Sequence, residues 1–217
     1  NLIDPTGMGP EKPKDPPAKN IIINFLRGEN NGKYDDKEFL KNGWKIIDAT
    51  DIKDASAKLK AYLGDEKADN IYLNAHGGVS EYYVRNEEGY NIRDESSPKG
   101  YLMDSNSGIK LGTTNDDWIM SNNLGDYNNG VYQKFLSAGK TENIKALIEV
   151  AGFVKEGKNL IFGSCNTGMD DRFGSNLNNA LTTRIDIFAN KDYCSNYLSN
   201  GKITFYNFTN YSQTTKE

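Results

Sequence analysis

The most informative stretch of the sequence is residues 159–168, which read Asn-Leu-Ile-Phe-Gly-Ser-Cys-Asn-Thr-Gly. Its short apolar run is bounded by turn-forming residues and predicts a buried strand that ends just before Cys165. Residues 70–78, Asn-Ile-Tyr-Leu-Asn-Ala-His-Gly-Gly, have the same form and contain His76, the only histidine of the chain. The two stretches therefore predict two strands, each followed by one half of a thiol–imidazole pair.

The length and composition of the chain indicate one domain of ordinary size. It has 217 residues, 36% of them hydrophobic, and a net charge of -4 at pH 7. A pI of about 5.2 gives no indication of the basic face that nucleic-acid binding requires. No apolar run approaches the roughly 20 residues of a membrane-spanning helix. With one histidine and two cysteines, a zinc site would need carboxylates as well, so we expect no metal and no cofactor.

Strand and helix patterns alternate along most of the chain. The first three predicted strands are separated by helices, which is typical of a parallel sheet with right-handed crossovers. We therefore expect an α/β fold with an open, mostly parallel sheet of about six strands flanked by helices. The predicted strands are residues 21–25, 44–47, 71–73, 160–162, 185–189 and 203–208. The predicted helices are residues 36–40, 54–63, 141–154 (capped by Thr141) and 173–181.

The pattern changes after Val79, where short strand candidates appear at residues 82–85, 101–103 and 109–111. Residues 104–108, Asp-Ser-Asn-Ser-Gly, predict a hairpin turn that joins the last two candidates. An inserted region of this length is more often functional than a simple connection. Two further segments are candidates for short helices, the first of them alternatively a docking loop: residues 118–124 and 131–136.

The chemistry follows from where the two reactive side chains fall. Ligands of open parallel sheets bind beyond the carboxyl ends of the strands, and His76 and Cys165 each follow such an end. An imidazole beside a thiol takes its proton, creates the nucleophilic thiolate, and later protonates a leaving amine. The backbone N–H groups of Gly77, Gly78 and Cys165 would then hold an oxyanion. The alternative interpretation is a small buried cysteine and an unrelated polar histidine.

A hydrophobic strand followed by His-Gly, and a later one followed by two small residues and Cys, resembles the caspase-like cysteine peptidases. Residues 160–168 are most similar to the CHAT members, whose strand ends Ser-Ala-Cys-x-Thr-Gly, and the resemblance spans roughly residues 20–208. It implies a caspase-like fold with an inserted β-hairpin region after the histidine strand. It also implies a catalytic dyad of His76 as base and Cys165 as nucleophile, with oxyanion stabilisation by the N–H groups of Gly77 and Cys165.

The resemblance leaves the substrate preference open. Gly163 stands where metacaspases carry an aspartate that binds a basic residue, so their preference does not transfer. Arg27 lies near where caspases place an arginine that binds an acidic residue, but the alternative of a solvated loop charge is favoured, because arginine is mostly exposed. We also expect Gly78 and Ser164 to contact substrate. The acidic residues that would instead form a pocket for a basic residue are Asp170, Asp171, Asp186 and Asp192. Cys194 has no second histidine to pair with and is interpreted as structural or incidental.

Residues 1–8, Asn-Leu-Ile-Asp-Pro-Thr-Gly-Met, resemble the closing Asp-Pro-x-Gly motif of the RHS repeat-associated core. In that family a self-cleaving shell precedes a variable C-terminal toxin domain. The resemblance therefore implies a linker at residues 1–19, which is rich in proline, and a peptidase domain at residues 20–217. The expected partners are the RHS shell, a protein substrate in the cytoplasm of a target cell and a cognate immunity protein. The alternatives are a self-processing module and a non-catalytic binding domain on the same fold.

Overall fold

The structure is a computed structural model that describes residues 18–26, 36–130, 132–191, 198–199, 202–203 and 208–211. The strands are β1 (Asn20–Asn24), β2 (Trp44–Asp48), β3 (Ala68–Asn74), β4 (His76–Tyr83), β5 (Met103–Lys110), β6 (Trp118–Met120), β7 (Val154–Phe162), β8 (Asp186–Asn190), β9 (Leu198–Ser199), β10 (Lys202–Ile203) and β11 (Phe208–Asn210). The helices are α1 (Asp36–Lys41), α2 (Ile52–Leu63), α3 (Ser121–Asn128), α4 (Ala138–Gly152) and α5 (Arg172–Ala180), with a 3-10 turn at Gln133–Phe135.

The main sheet has six strands in the order β11-β8-β7-β3-β1-β2. Every neighbouring pair is parallel except β8 and β11. The apolar runs of the central strands are inaccessible to solvent, as Ile21, Ile71 and Leu160 illustrate, because helices cover a parallel sheet on both faces. The expected α/β class, with a six-stranded, mostly parallel sheet flanked by helices, is confirmed.

Helices α2 and α4 begin at residues that cap them. The Asp51 side chain accepts hydrogen bonds from the backbone N–H groups of Lys53 and Asp54, both at 2.9 Å. The Ser137 hydroxyl accepts one from the N–H of Lys140 at 3.0 Å. Thr141 was therefore the wrong cap, since Ser137 starts α4 earlier and the Thr141 hydroxyl donates to the Ser137 carbonyl instead.

Two rows of hydrogen-bonded asparagines set the register of the central strands. Toward the amino-terminal ends of the strands, the Asn159 amide donates to Asn70 at 2.6 Å and the Asn70 amide donates to Asn20 at 2.7 Å. At the carboxyl end, the Asn74 amide donates to Asn24 at 3.0 Å, and Asn24 donates in turn to Asp48. Because a one-residue slip would break both rows, they hold β3 at both of its ends.

A second, three-stranded antiparallel sheet follows β3 directly, in the order β4-β5-β6. Residues 104–108 lie inside β5 and pair with β4, so the hairpin turn predicted there is wrong. The physical reason is close packing: a Cβ on Gly108 would lie 2.4 Å from the Ile119 carbonyl oxygen, and Ser107 is fully buried. Small residues that resemble a turn are required here by neighbouring backbone.

Several other predicted boundaries change in the structure. Residues 118–124 form β6 and the start of α3 rather than one helix. Of the segment 131–136, the described part contains only a 3-10 turn, and Val131 lies outside the described residues. The sixth predicted strand, 203–208, is described only at its ends, where β10 pairs with β9 and β11 pairs with β8.

The boundary of the predicted linker also shifts. Most of residues 1–19 lie outside the described residues, but Ala18 donates its N–H to the Tyr62 hydroxyl at 2.7 Å. The Lys19 carbonyl accepts hydrogen bonds from the N–H groups of Asp69 and Asn70. The folded unit therefore includes Ala18 and Lys19. Among the described helices, none combines the length and apolar character needed to span a membrane.

Candidate active site

The register of two neighbouring strands brings the histidine and cysteine segments together. Strands β3 and β7 are parallel, and Leu73 pairs with Phe162. The N–H of Gly163 continues this pairing with a 3.0 Å hydrogen bond to the Leu73 carbonyl. His76 and Cys165 each follow the paired residues by three positions. Both therefore emerge at the same edge of the sheet, at the carboxyl ends of adjacent strands.

The backbone of Gly77 lies directly against the backbone of Cys165. A Cβ on Gly77 would lie 2.1 Å from the Cys165 carbonyl oxygen and 2.9 Å from the Cys165 nitrogen. It would also lie 2.7 Å from the Thr167 hydroxyl. Only glycine permits this approach, so the two segments that carry the predicted oxyanion N–H groups are in contact.

Cys165 sits on a sharp turn after β7. The residue is half-buried and takes no part in a disulfide. Asn166, which follows it, has a φ of 56°, in the left-handed region that only a few per cent of non-glycine residues adopt. Asn166 is 3% exposed, so surrounding structure maintains this conformation. Backbone strain of this kind is concentrated at functional sites.

Hydrogen bonds from β5 fix the loop that carries Cys165. The Thr167 hydroxyl donates to the Gly108 carbonyl at 3.1 Å, and the Ser107 hydroxyl donates to the Thr167 carbonyl at 2.8 Å. The Ser164 hydroxyl lies 2.5 Å from that of Thr167 and is its donor, because the Thr167 proton is already used. Ser164 is fully buried, so its side chain holds the loop and does not reach a substrate-binding surface.

The far side of the same loop is attached to the edge of the main sheet. The N–H of Gly168 donates to the Asn190 carbonyl at 2.7 Å. The Tyr211 hydroxyl donates to the Gly168 carbonyl at 3.2 Å. Burial raises the pKa of Tyr211 to about 12, so this phenol remains a neutral donor at physiological pH. The loop is therefore held from both sides.

His76, Lys110 and Trp118 form a row across the second sheet. They are directly opposed in the pairings β4–β5 and β5–β6, and opposed residues share one face of a sheet. The Trp118 indole reaches back over Gly78, since a Cβ there would lie 3.3 Å from Trp118 Cη2. Gly78 is therefore half-buried beneath an indole. Sequence reasoning did not identify Lys110 or Trp118, because only the register brings them to His76.

Arg172 was also missed, and it connects the cysteine loop to the second sheet. Its Nε and Nη2 each donate to the Asp170 carboxylate at 2.9 Å. Its Nη1 donates to the Tyr82 hydroxyl at 2.8 Å and to Asp104 at 2.7 Å, and Nη2 also donates to the Ser105 carbonyl. A guanidinium has five N–H donors, so all of them are used within the protein.

The partner of this guanidinium is an ionised, mostly buried carboxylate. Asp170 is 8% exposed and also accepts a hydrogen bond from the Ser121 hydroxyl. Burial raises the pKa of Asp170, but the hydrogen bonds from Arg172 and Ser121 outweigh this effect and leave the pKa below its ordinary value. The pair with Asp170 raises the pKa of Arg172. The network therefore remains charged across the physiological range.

Of the four aspartates predicted to form a pocket for a basic residue, the three that the structure describes do not converge. Asp170 is occupied by Arg172. Asp186, at the start of β8, pairs with Asn159 of β7. Asn159 precedes Cys165 by six residues, so Asp186 lies at the opposite edge of the sheet from the thiol. Asp171 is exposed at the start of α5. Asp192 lies outside the described residues, as do Arg27 and Cys194.

The Tyr72 side chain leaves no room for a side chain at Gly163. A Cβ there would lie 1.8 Å from the Tyr72 hydroxyl, and Tyr72 is 1% exposed. The ring therefore occupies the space that a side chain at residue 163 would need, and an aspartate does not fit. Within the described parts of the chain, no group of three or more His, Cys, Asp and Glu side chains is arranged to hold a metal ion.

No protein-family model, curated protein or solved structure matches the chain.

Proposed function

We propose that this chain is a caspase-like cysteine endopeptidase, most similar to the CHAT type. The observation that carries the proposal is the register of β3 and β7. These parallel strands end together, so His76 and Cys165 lie at the same edge of the sheet. The direct contact between the Gly77 and Cys165 backbones supports it further. Cys165 is a half-buried residue on a strained turn, and reactive cysteines are typically partly exposed and held in a defined position.

The proposed mechanism uses only groups of this chain. His76 removes the proton of the Cys165 thiol, and the thiolate attacks the carbonyl carbon of a substrate peptide bond. The N–H groups of Gly77 and Cys165 stabilise the resulting oxyanion. His76 then protonates the leaving amine, and an activated water hydrolyses the thioester.

The biological setting is proposed from residues 1–8 and their resemblance to the end of an RHS core. The chain would be the C-terminal toxin domain of an RHS polymorphic toxin, released by a producing bacterium and delivered to the cytoplasm of a target cell. There it would cleave one or more proteins, and the producer would be protected by a cognate immunity protein.

The central test compares the two cysteines of the chain. Cys165→Ala should abolish both growth inhibition and the appearance of new protein N-termini after expression in a recipient bacterium. Cys194→Ala is the matched control and should retain both effects, because the proposed dyad does not include it. Growth inhibition by Cys165→Ala at the wild-type level would contradict the proposal.

A self-processing module is a second candidate, favoured by the proline-rich stretch before the domain. The same dyad would cut its own chain and release the domain. Mass spectrometry of the purified chain would then show one discrete cleavage that His76→Ala abolishes. An uncut chain after prolonged incubation would exclude this candidate.

A further inference from the structure

A cavity of about 360 Å³ lies where the cysteine loop ends over the second sheet. Strands β4 and β5 form its floor, and residues Met169 and Asp170 of the loop form one wall. The loop covers Ser107 of β5 completely but leaves Val79 of β4 exposed. The cavity is therefore the open end of the space between the loop and the sheet.

Two exposed apolar side chains form the rim of this cavity. Val79 is 48% exposed and Met169 is 56% exposed. Val79 follows His76 by three positions, and Met169 follows Cys165 by four. The rim is thus carried by the same two segments as the candidate dyad. Exposed apolar residues that face one cavity are typical of a binding surface.

The two buried polar side chains of the floor, Asn106 and Ser107, are already hydrogen-bonded within the protein. The Asn106 amide donates to the Asn122 side chain at 2.8 Å, and the Asn106 oxygen accepts from the backbone N–H of Asn122 at 3.0 Å. The Ser107 hydroxyl donates to the Thr167 carbonyl and accepts from the N–H of Asp170. A polar group entering the cavity would lose its water for few new hydrogen bonds, which is unfavourable.

Charge does not change this conclusion. The Asp170 carboxylate is held by Arg172. Glu81, the other carboxylate that lines the cavity, lies on β4 and forms a 2.9 Å ion pair with Lys99. Both carboxylates of the cavity therefore have cationic partners, and an apolar side chain is the occupant that the lining favours.

The distance to the cysteine segment matches a polypeptide substrate. Val79 follows Gly77 by two positions, so both lie on the face of β4 that contacts the Cys165 backbone, roughly 7 Å apart at about 3.3 Å per residue. An extended peptide covers that distance in about two residues. A side chain in the cavity would therefore belong to a residue within about three positions of the bond at Cys165.

We propose that this cavity is a specificity subsite that takes one large apolar side chain, such as Leu, Met or Phe, of the substrate polypeptide. The inference rests on the proposed peptidase function and adds the substrate class to it. Met169 is the principal specificity-determining residue, because its flexible side chain adapts to differently shaped apolar partners.

The test is a fluorogenic peptide library that varies each of the three positions on either side of the cleaved bond. The wild-type chain should prefer large apolar residues at one of these positions. Met169→Asp should lower kcat/KM for the preferred peptides by about tenfold or more and should reduce the preference itself. Leu40→Asp is the matched control, since Leu40 is 54% exposed and lies on α1. It should leave the preference unchanged.

Two further measurements separate the outcomes. Val79→Asp should weaken the same preference, and thermal melting of both variants checks that they are folded. An unchanged preference in folded Met169→Asp, or cleavage without any apolar preference, would overturn the subsite while leaving the peptidase intact. Absence of cleavage of any peptide or protein by the wild-type chain would overturn the proposed function, and the subsite with it.

Discussion

Replacing Gly77 with alanine tests the contact on which the candidate site depends. The new methyl group would lie 2.1 Å from the carbonyl oxygen of Cys165 and 2.9 Å from its nitrogen. Both are backbone atoms, which cannot rotate away as a flexible side chain would. The Gly77 and Cys165 segments must therefore separate by roughly 1 Å, which is the scale of misplacement that costs about 100-fold in an enzyme rate.

The same displacement also affects stability. Overpacking of a close contact costs about 1–3 kcal/mol, and for a chain of this size each kcal/mol lowers the melting temperature by about 2–4 °C. Gly77→Ala should therefore melt roughly 4–8 °C below the wild type if the cost is about 2 kcal/mol. The variant remains folded at room temperature, which allows its activity to be measured.

The assay combines two reactions of Cys165. Hydrolysis of a protein substrate requires the oxyanion to be stabilised, whereas alkylation by iodoacetamide requires only the thiolate. Gly77→Ala should reduce kcat/KM for hydrolysis by about 100-fold, with a much smaller change in the alkylation rate. Gly152→Ala is the control, because a Cβ at that position in α4 meets nothing within 4 Å. It should leave both rates and the melting temperature at or above wild-type values.

An unchanged melting temperature together with unchanged hydrolysis in Gly77→Ala would refute this reasoning. Such a result would mean that the Gly77 and Cys165 backbones are not in contact. Equal losses of hydrolysis and alkylation would show instead that the substitution disturbs the thiolate rather than the oxyanion donors.

Three further outcomes follow from the side-chain contacts and the backbone conformation of the cysteine loop. Arg172→Met should lower the free energy of unfolding in urea by about 3 kcal/mol, because it leaves the carboxylate of Asp170 buried without its partner. Lys99→Met is the control: it removes an exposed ion pair with Glu81 and should leave the urea midpoint unchanged. The folded protein lowers the pKa of Asp170. The contribution of its ionised carboxylate to the free energy of unfolding is therefore complete above the ordinary carboxyl pKa of about 3.9, and it is lost as the pH falls through the lower folded value. Urea midpoints measured from pH 5 to pH 2 should fall more steeply for the wild type than for Asp170→Asn. Asn166→Gly should be more stable than Asn166→Ala by about 1 kcal/mol in the same assay, since only glycine adopts a φ of 56° without strain.

The central strands were predictable because they are buried on both faces. A parallel sheet covered by helices leaves continuous apolar runs in the sequence, and residues 71–73 and 160–162 are such runs. Both strands proved longer at their starts, β3 beginning at Ala68 and β7 at Val154. The added residues include polar positions such as Asn70, which hydrogen-bonds across the sheet. An asparagine in a strand resembles a loop residue until its cross-strand partner is known.

The second sheet was less predictable, because tertiary packing overrides its local sequence. Residues 104–108 have turn composition, yet they form the middle of β5 where the cysteine loop and β6 approach closely. Arg172 illustrates the same limit. Its contacts with Tyr82 and Asp104 span 90 and 68 positions of the chain, and no local pattern indicates them. The one local signal is its bond to Asp170, two residues away.

The asparagine rows connect the fold to the chemistry. A slip of β3 by one residue would move His76 by about 3.3 Å relative to β7 and turn its side chain to the opposite face. The rows through Asn70 and Asn74 oppose that slip at both ends of the strand. The contact between Gly77 and Cys165 opposes it again, because it forms only at the present register. The position of the candidate dyad is thus determined by hydrogen bonds and close packing along β3 and by the contact between Gly77 and Cys165.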